Sequence, residues 1–333
     1  MGNLEKIDIF NFDLEIGKLK PYLPLFYQVF GKPLGSSPIV VVNHSLTGNS
    51  NVTGENGWWN EIVGKNKAID TDYFTVIAFN IPGNGYDDNF GNLIDNYQDF
   101  TIRDIARIFW EGLFFLGVKN VYAIIGGSLG GAIGWEMTAL QSDKVDNFIP
   151  IATDWKATDW VIANVLIQDK ILNYSDDPIA DACLHATLLF GTPEYVNQRS
   201  RRGKLEDLSI LQTENRLFEN VFKLKNSYPL AAYKLMNHLL KTNDIARNRV
   251  DFLTVANVFE ANIHLVTVDT DHLFIAEETR KTFRELKNTK ENVFYHQIQS
   301  IHGHDAYLIE LNQLSDILNP IFSYPKQQNY VSA

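Results

Sequence analysis

The sequence holds a single cysteine, Cys183, in 333 residues. One thiol forms no intrachain disulfide and supplies no thiolate zinc cage, which fits a reducing compartment and sets the expected location as cytoplasmic. Basic charge is also scarce. Against 40 Asp and Glu stand 29 Lys and Arg, a net charge of −11 at pH 7. A chain of that sign repels both a phosphate backbone and an anionic membrane surface, so neither nucleic acid nor membrane is an expected partner. Long apolar runs are missing as well. The longest weakly polar stretch, Val121 to Trp135, is Gly-rich and falls short of the roughly twenty residues that cross a bilayer. The start of the chain, Met1 to Gly17, carries acidic residues where a secretory leader needs an apolar core, and Lys6 sits where a myristoylation signal needs Ser or Thr. It is read as mature protein.

What is present suits a large folded chain. Hydrophobic residues make up 45%, aromatics 12% and charged residues 21%, proportions that exclude disorder as the dominant state. Short apolar runs at Ile39–Val42, Phe74–Phe79, Val121–Ile125 and Phe148–Ile151 are continuous rather than alternating, as in strands buried on both sheet faces. Between the second and third runs, Ile102, Ile105, Ala106, Phe109, Leu113 and Leu116 recur at helical spacing behind Thr101 and Asp104, which are placed as a capping box. Strand, helix, strand predicts α/β layering around a mostly parallel sheet. From Asp154 to about Val250 the periodicity is helical, and strand signals return at Ile263–Val268 and Val293–His296. The expected organisation is therefore a core domain over residues 1–153 and 251–333, interrupted by a helical lid over 154–250.

The residues able to do chemistry follow the strand ends. Gly126-Gly127-Ser128-Leu129-Gly130-Gly131 stands after the run ending at Ile125 and before a helical stretch, the context that makes G-x-S-x-G a nucleophile turn. Glycines flank the serine because the chain closes on itself there. The turn exposes the Ser128 hydroxyl and leaves the Leu129 amide at a helix N-terminus facing developing negative charge. Neither a Walker loop nor a dinucleotide loop fits, since both Gly-Lys-Ser/Thr and G-x-G-x-x-G are absent. A serine needs a base. His304, within Ile301-His302-Gly303-His304-Asp305-Ala306, lies beyond the last strand signal, where the Ser, acid, His order places it. His302 is its near rival. No second ligand cluster accompanies this His-x-His pair, so no metal is expected. His264 reads as a core or edge histidine. Asp269 and Asp271 both follow the preceding strand, and the residues alone leave either as the orienting acid. Asn43-His44-Ser45-Leu46-Thr47-Gly48 follows the first buried strand, where the second oxyanion amide is supplied. His44 precedes the serine in the chain, the wrong order for the base, and suits a hydrogen-bonding role behind the site. Trp58 and Trp59 read as packing residues, and Cys183 as a small core residue.

With Gly57-Trp58-Trp59, Ala68-Ile69-Asp70-Thr71 and Thr270-Asp271-His272-Leu273-Phe274, these segments resemble the homoserine O-acetyltransferases over about residues 20 to 320. The resemblance implies an α/β-hydrolase fold with a helical lid, usually a homodimer. It implies acetyl-CoA as co-substrate with no permanently bound cofactor, and transfer of acetyl to the homoserine hydroxyl through an acyl-serine, a step of methionine biosynthesis. It further implies Ser128 as nucleophile, His304 as base, Asp271 rather than Asp269 as third member, the Leu46 and Leu129 amides as oxyanion hole, and Asp305 as partner of the substrate ammonium. Two departures stand out. Where the family has Ala-Arg followed by Tyr-Arg, this chain has Ala182-Cys183 and Phe190-Gly191, and the family's Gly-Ser-Thr-Gly-Pro stretch is replaced by Gly83-Asn84-Gly85-Tyr86-Asp87-Asp88. Loss of a bidentate arginine removes roughly 1.5–3 kcal/mol from a carboxylate's binding. Arg199, Arg201 and Arg202 follow shortly and are candidates to replace it. The same triad serves a carboxylesterase, with water as acceptor, and a silent binding protein would keep the fold without the chemistry.

Overall fold

The structure, a computed structural model, describes residues 2–200 and 212–323. Its centre is an eight-stranded sheet. Strands β1 (Glu5–Asp13) and β2 (Leu19–Gly31) form an antiparallel hairpin. Strand β3 (Ile39–Asn43) follows, then a small parallel pair, β4 (Val63–Gly64) with β5 (Ile69–Asp70). Strands β6 (Thr75–Phe79), β7 (Val121–Gly127), β8 (Val145–Ile151), β9 (Asn262–Val268) and β10 (Val293–Ile298) complete the main sheet. The order across it is β1-β2-β6-β3-β7-β8-β9-β10. All pairs from β6 onward in that order are parallel, and β2 joins β6 antiparallel. Every residue of β3, β6 and β7 is buried, which is why those segments read as unbroken apolar runs.

The hairpin is the element that the sequence reading does not anticipate. Ile7 and Ile9 face inward at period two, but the next inward residue is Phe12. Asn11, with φ of 52°, stands between the pairs in which Phe10 opposes Tyr22 and Phe12 opposes Lys20. The register is the same on both sides, with Asn11 on one strand facing Pro21 on the other, so nothing is inserted; the left-handed backbone at Asn11 breaks the inward alternation, and a strand signal of period two disappears.

Helix α1 (Ile102–Phe115) carries the expected capping box, with the Thr101 hydroxyl accepting from the Asp104 amide and Asp104 accepting from the Thr101 amide. Helix α2 (Leu129–Leu140) is buried through most of its length, as befits a helix apolar on all sides. Between β8 and β9 the chain forms α3 (Asp159–Tyr174), α4 (Pro178–Phe190), α5 (Pro193–Ser200), α6 (Gln212–Ser227), α7 (Leu230–Lys241) and α8 (Phe252–Asn257). Helix α9 (Ala276–Lys287) connects β9 to β10, and α10 (Ala306–Ile309) and α11 (Leu311–Phe322) close the described chain. No helix among the described residues is long and apolar enough to cross a membrane.

A half-buried ion network ties these parts together. Glu15, after β1, meets Arg103 and Arg247 at 2.7 Å each, and Glu136 of α2 meets Arg103 at 2.6 Å and Arg249 at 2.7 Å. The chain leaving α7 is thus fixed to α1, α2 and the hairpin loop. Because β3, β7, β9 and β10 run parallel, their carboxyl ends open on one side, where ligand sites of such sheets form.

Candidate active site

Ser128 sits between β7 and α2 with φ of 54° and ψ of −122°. A non-glycine residue there carries strain of about 1–3 kcal/mol, which the surroundings must hold. They do so with two hydrogen bonds: the Ser128 amide donates to the Ile151 carbonyl at 2.8 Å, and its carbonyl accepts from the Ala132 amide at 3.0 Å. The neighbouring glycines are needed for space. A Cβ on Gly130 would lie 2.3 Å from the Asn43 carbonyl oxygen.

The Ser128 Oγ lies 2.9 Å from His304 Nε2, and His304 Nδ1 lies 2.7 Å from Asp271 Oδ2. The other carboxylate oxygen, Asp271 Oδ1, accepts from the Leu273 amide at 2.7 Å and the Phe274 amide at 2.9 Å. An ionised carboxylate only accepts, so Nδ1 carries the ring proton and Nε2 faces the hydroxyl as acceptor. Three segments distant in the chain meet in one row. His304 is buried, its ring between those of Phe190 and Phe274, at 5.3 and 5.7 Å between centroids. Burial works to lower its pKa, but the charge and hydrogen bond of Asp271, with Asp305 nearby, hold it above the ordinary histidine value. The preceding residue, Gly303, has φ of 67°, and a Cβ there would lie 2.3 Å from the Phe190 carbonyl oxygen.

The other sequence candidates fall elsewhere. Asp269 accepts from the Ser300 amide at 2.9 Å and stays outside the row. His302 pairs with Glu310 at 3.0 Å and meets the Tyr195 ring edge-on. His264 is buried against His296, with nitrogens 3.3 Å apart. Trp58 and Trp59 stack on each other at 5.0 Å between centroids, with Trp59 1% exposed, which is packing. Arg201 and Arg202 lie outside the described residues.

A cavity of about 540 Å3 opens over the row. Leu46 lines it, and Leu129 opens α2 immediately after Ser128. Asp305 also lines it, half-buried, with no hydrogen bond or ion pair from the described residues. Burial, with the charge of Asp271, raises its pKa against the opposing pull of His304 and His302. Such an unpaired carboxyl suits a cationic group. Cys183, expected as a core residue, is indeed buried, yet it forms part of this wall together with Phe190. Burial raises its pKa, which makes the thiol less reactive. Arg199 lies on the outer wall, its guanidinium over the Tyr195 ring and bonded to the Tyr195 hydroxyl.

Sequence reasoning misses two contributors. Lys223 and Tyr228 line the cavity from the end of α6 and the residue that follows it. Neither sits in a motif, and only the packing of the helices between β8 and β9 over the strand ends brings them in.

Comparisons with known proteins bear on the fold and the family. A curated relative, the homoserine O-acetyltransferase of Cyclobacterium marinum, is 28% identical over 93% of this chain and 92% of its own length. The crystal structure of homoserine O-acetyltransferase from Bacillus anthracis superimposes with a TM-score of 0.87 at 18% identity, over 100% of this chain and 99% of that one. An L374D mutant of esterase E22 gives the same TM-score at 17% identity, over 97% and 100%. At such identities the two structures speak to the fold alone. The family model for the alpha/beta hydrolase fold matches residues 38–299, the stretch that carries the Ser128 turn, Asp271 and most of the sheet, and the chain belongs to that family.

Proposed function

We propose that the protein is an acyltransferase that moves an acetyl group from acetyl-CoA to the hydroxyl of homoserine through an acyl-serine. The observation that carries this is the Ser128, His304, Asp271 row opening into a cavity that also holds the unpaired carboxyl of Asp305. The similarity to homoserine O-acetyltransferases over nearly the full chain supports it.

In this reading Ser128 Oγ attacks the thioester carbonyl while His304 Nε2 takes its proton. The amides of Leu46 and Leu129 meet the oxyanion. The tetrahedral intermediate collapses, the CoA thiolate leaves with the proton from His304, and acetyl-Ser128 remains. The acceptor hydroxyl then gives its proton to His304 and attacks the acyl carbon; the bond to Ser128 Oγ breaks, Oγ recovers the proton from His304, and the acceptor carries the acetyl group away. Asp271 holds the imidazole in its productive tautomer and steadies the imidazolium in both halves. Asp305 receives the acceptor's ammonium group. Arg199 and Lys223, on the outer wall of the cavity, meet the anionic groups of the substrates. Residues 154–250 act as a lid that keeps water from the acyl-enzyme. No permanently bound cofactor is needed. The assembly in this reading is a cytoplasmic homodimer.

One observation favours a second reading. Cys183 lies on the cavity wall where the resemblance implies a carboxylate-binding arginine, so an acceptor without a carboxylate, including water, fits that wall. The test follows thiol release from acetyl-CoA with and without homoserine, alongside intact mass. Homoserine-dependent release with formation of O-acetylhomoserine is the expected result, and Ser128→Ala abolishes it together with the 42 Da adduct (~42 Da for one acetyl group). Release indifferent to homoserine replaces the transferase with the hydrolase, and a protein that neither releases thiol nor gains mass sinks both.

A further inference from the structure

We infer that His44 and Tyr228 are positioning residues for the Leu46 amide, gripping the chain on either side of that residue, one from the core and one from the helical segment above. The inference rests on the reading of Ser128 as an acylated nucleophile. Its basis is the peptide geometry. In a trans peptide the N–H and C=O of one unit point in opposite directions within a single plane. The Leu46 N–H shares its plane with the Ser45 carbonyl, so whatever holds that carbonyl aims that N–H. His44 Nδ1 lies 2.7 Å from the Ser45 carbonyl oxygen, and His44 Nε2 accepts from the Ile81 amide at 3.0 Å. An Nε2 that accepts leaves Nδ1 as the protonated nitrogen, so the ring is held as one neutral tautomer between two backbone groups.

His44 is 1% exposed, and burial lowers its pKa to about 4, so it stays neutral across the working range of His304. Donation to the Ser45 carbonyl also polarises the peptide, which makes the Leu46 N–H a stronger donor in a low-dielectric site. The next peptide is held as well. The Tyr228 hydroxyl donates to the Leu46 carbonyl at 2.7 Å across a separation of 182 residues. Tyr228 is buried and stands just after α6. Both planes flanking the Leu46 Cα are therefore fixed, the second only while the helices carrying Tyr228 are seated on the core. Seating of those helices and readiness of the oxyanion site are thereby linked.

The test uses p-nitrophenyl acetate as acyl donor, so that it does not depend on acetyl-CoA or homoserine being the substrates. His44→Asn places an amide nitrogen near the Nδ1 position and keeps the bond to Ser45. His44→Gln reaches only the Nε2 position and loses it. Tyr228→Phe removes one hydroxyl. The readouts are the acylation rate, the affinity for trifluoroacetone, which forms a tetrahedral oxyanion on the serine, the affinity for trifluoroisopropanol, which forms none, and the melting temperature. H44Q and Y228F are expected to lose about tenfold in acylation and in trifluoroacetone affinity, with trifluoroisopropanol affinity unchanged, while H44N stays within about threefold of the parent. Equal losses in H44N and H44Q, or slowed acylation without weaker trifluoroacetone binding, would overturn the role of His44. Unchanged acylation in Y228F would overturn that of Tyr228. If the parent protein itself shows no acylation, the reading of Ser128 fails instead, and the two failures are distinct.

Discussion

At the scale of single residues, His304 is the group whose charge state would govern the proposed chemistry. Burial alone would make its imidazolium weaker-held than in water, but the adjacent Asp271 reverses the sign and the proton binds more tightly than in a free histidine. Only the deprotonated ring accepts the Ser128 proton, so kcat/KM is expected to fall on the acid side with an apparent pKa above the ordinary value of about 6.5. Asp271→Asn removes the main raising causes and leaves burial opposed by Asp305 alone, so the midpoint should move down, and the rate should drop roughly 10³- to 10⁴-fold as the tautomer is lost. A pH–rate series on both proteins checks this. An unchanged midpoint in the variant would mean that Asp271 is not what raises it. The stability sign runs the same way: a raised folded pKa contributes stabilisation that is full below the unfolded pKa and lost as pH rises through the folded one.

At the scale of elements, the turn between β7 and α2 packs so closely on β3 that side-chain size decides its geometry. Gly130→Ala would drive a Cβ to 2.3 Å from the Asn43 oxygen, a backbone atom that cannot rotate away. The expected cost is about 2–3 kcal/mol, read as a lower urea midpoint at unchanged slope, with acylation of Ser128 impaired as the turn shifts. A variant as stable and active as the parent would show that β3 and α2 can part without penalty. This turn was legible in the sequence because its constraints are local: the strand, the glycines and the helix lie within twenty consecutive residues. The central strands were legible because burial on both faces leaves nothing but apolar residues. The hairpin β1–β2 was not, since the left-handed backbone at Asn11 breaks its alternation.

At the scale of the whole molecule, the buried titrating groups set the response to acid. Burial lowers the pKa values of His44, His238 and His264 to about 4 each, and raises that of Asp154 to about 6. Between pH 6.5 and 4 the unfolded chain therefore binds protons on three histidines that the folded chain refuses, and stability falls as pH falls. Asp154, His304 and Asp305 act in the opposite direction, because their folded forms protonate first. The three histidines together contribute a loss on the order of a few kcal/mol by pH 5, measurable as a declining denaturant midpoint. A midpoint that is flat or rising from pH 7 to 5 would contradict the burial of these rings.

The amino-acid sequence alone determined the layered α/β architecture, the serine on its turn and the two candidate acids and histidines, because each is written in a short stretch whose local physics is self-sufficient. Tertiary structure decided that Asp271 rather than Asp269 meets His304, the place of Cys183 on the cavity wall and the grip of Tyr228 on Leu46. Those depend on which of several chemically equal groups the packing of remote segments brings within hydrogen-bond reach. Hydrogen bonds act over about 3 Å, whereas the residues concerned lie 33 to 182 positions apart, and no local pattern encodes a distance of that kind.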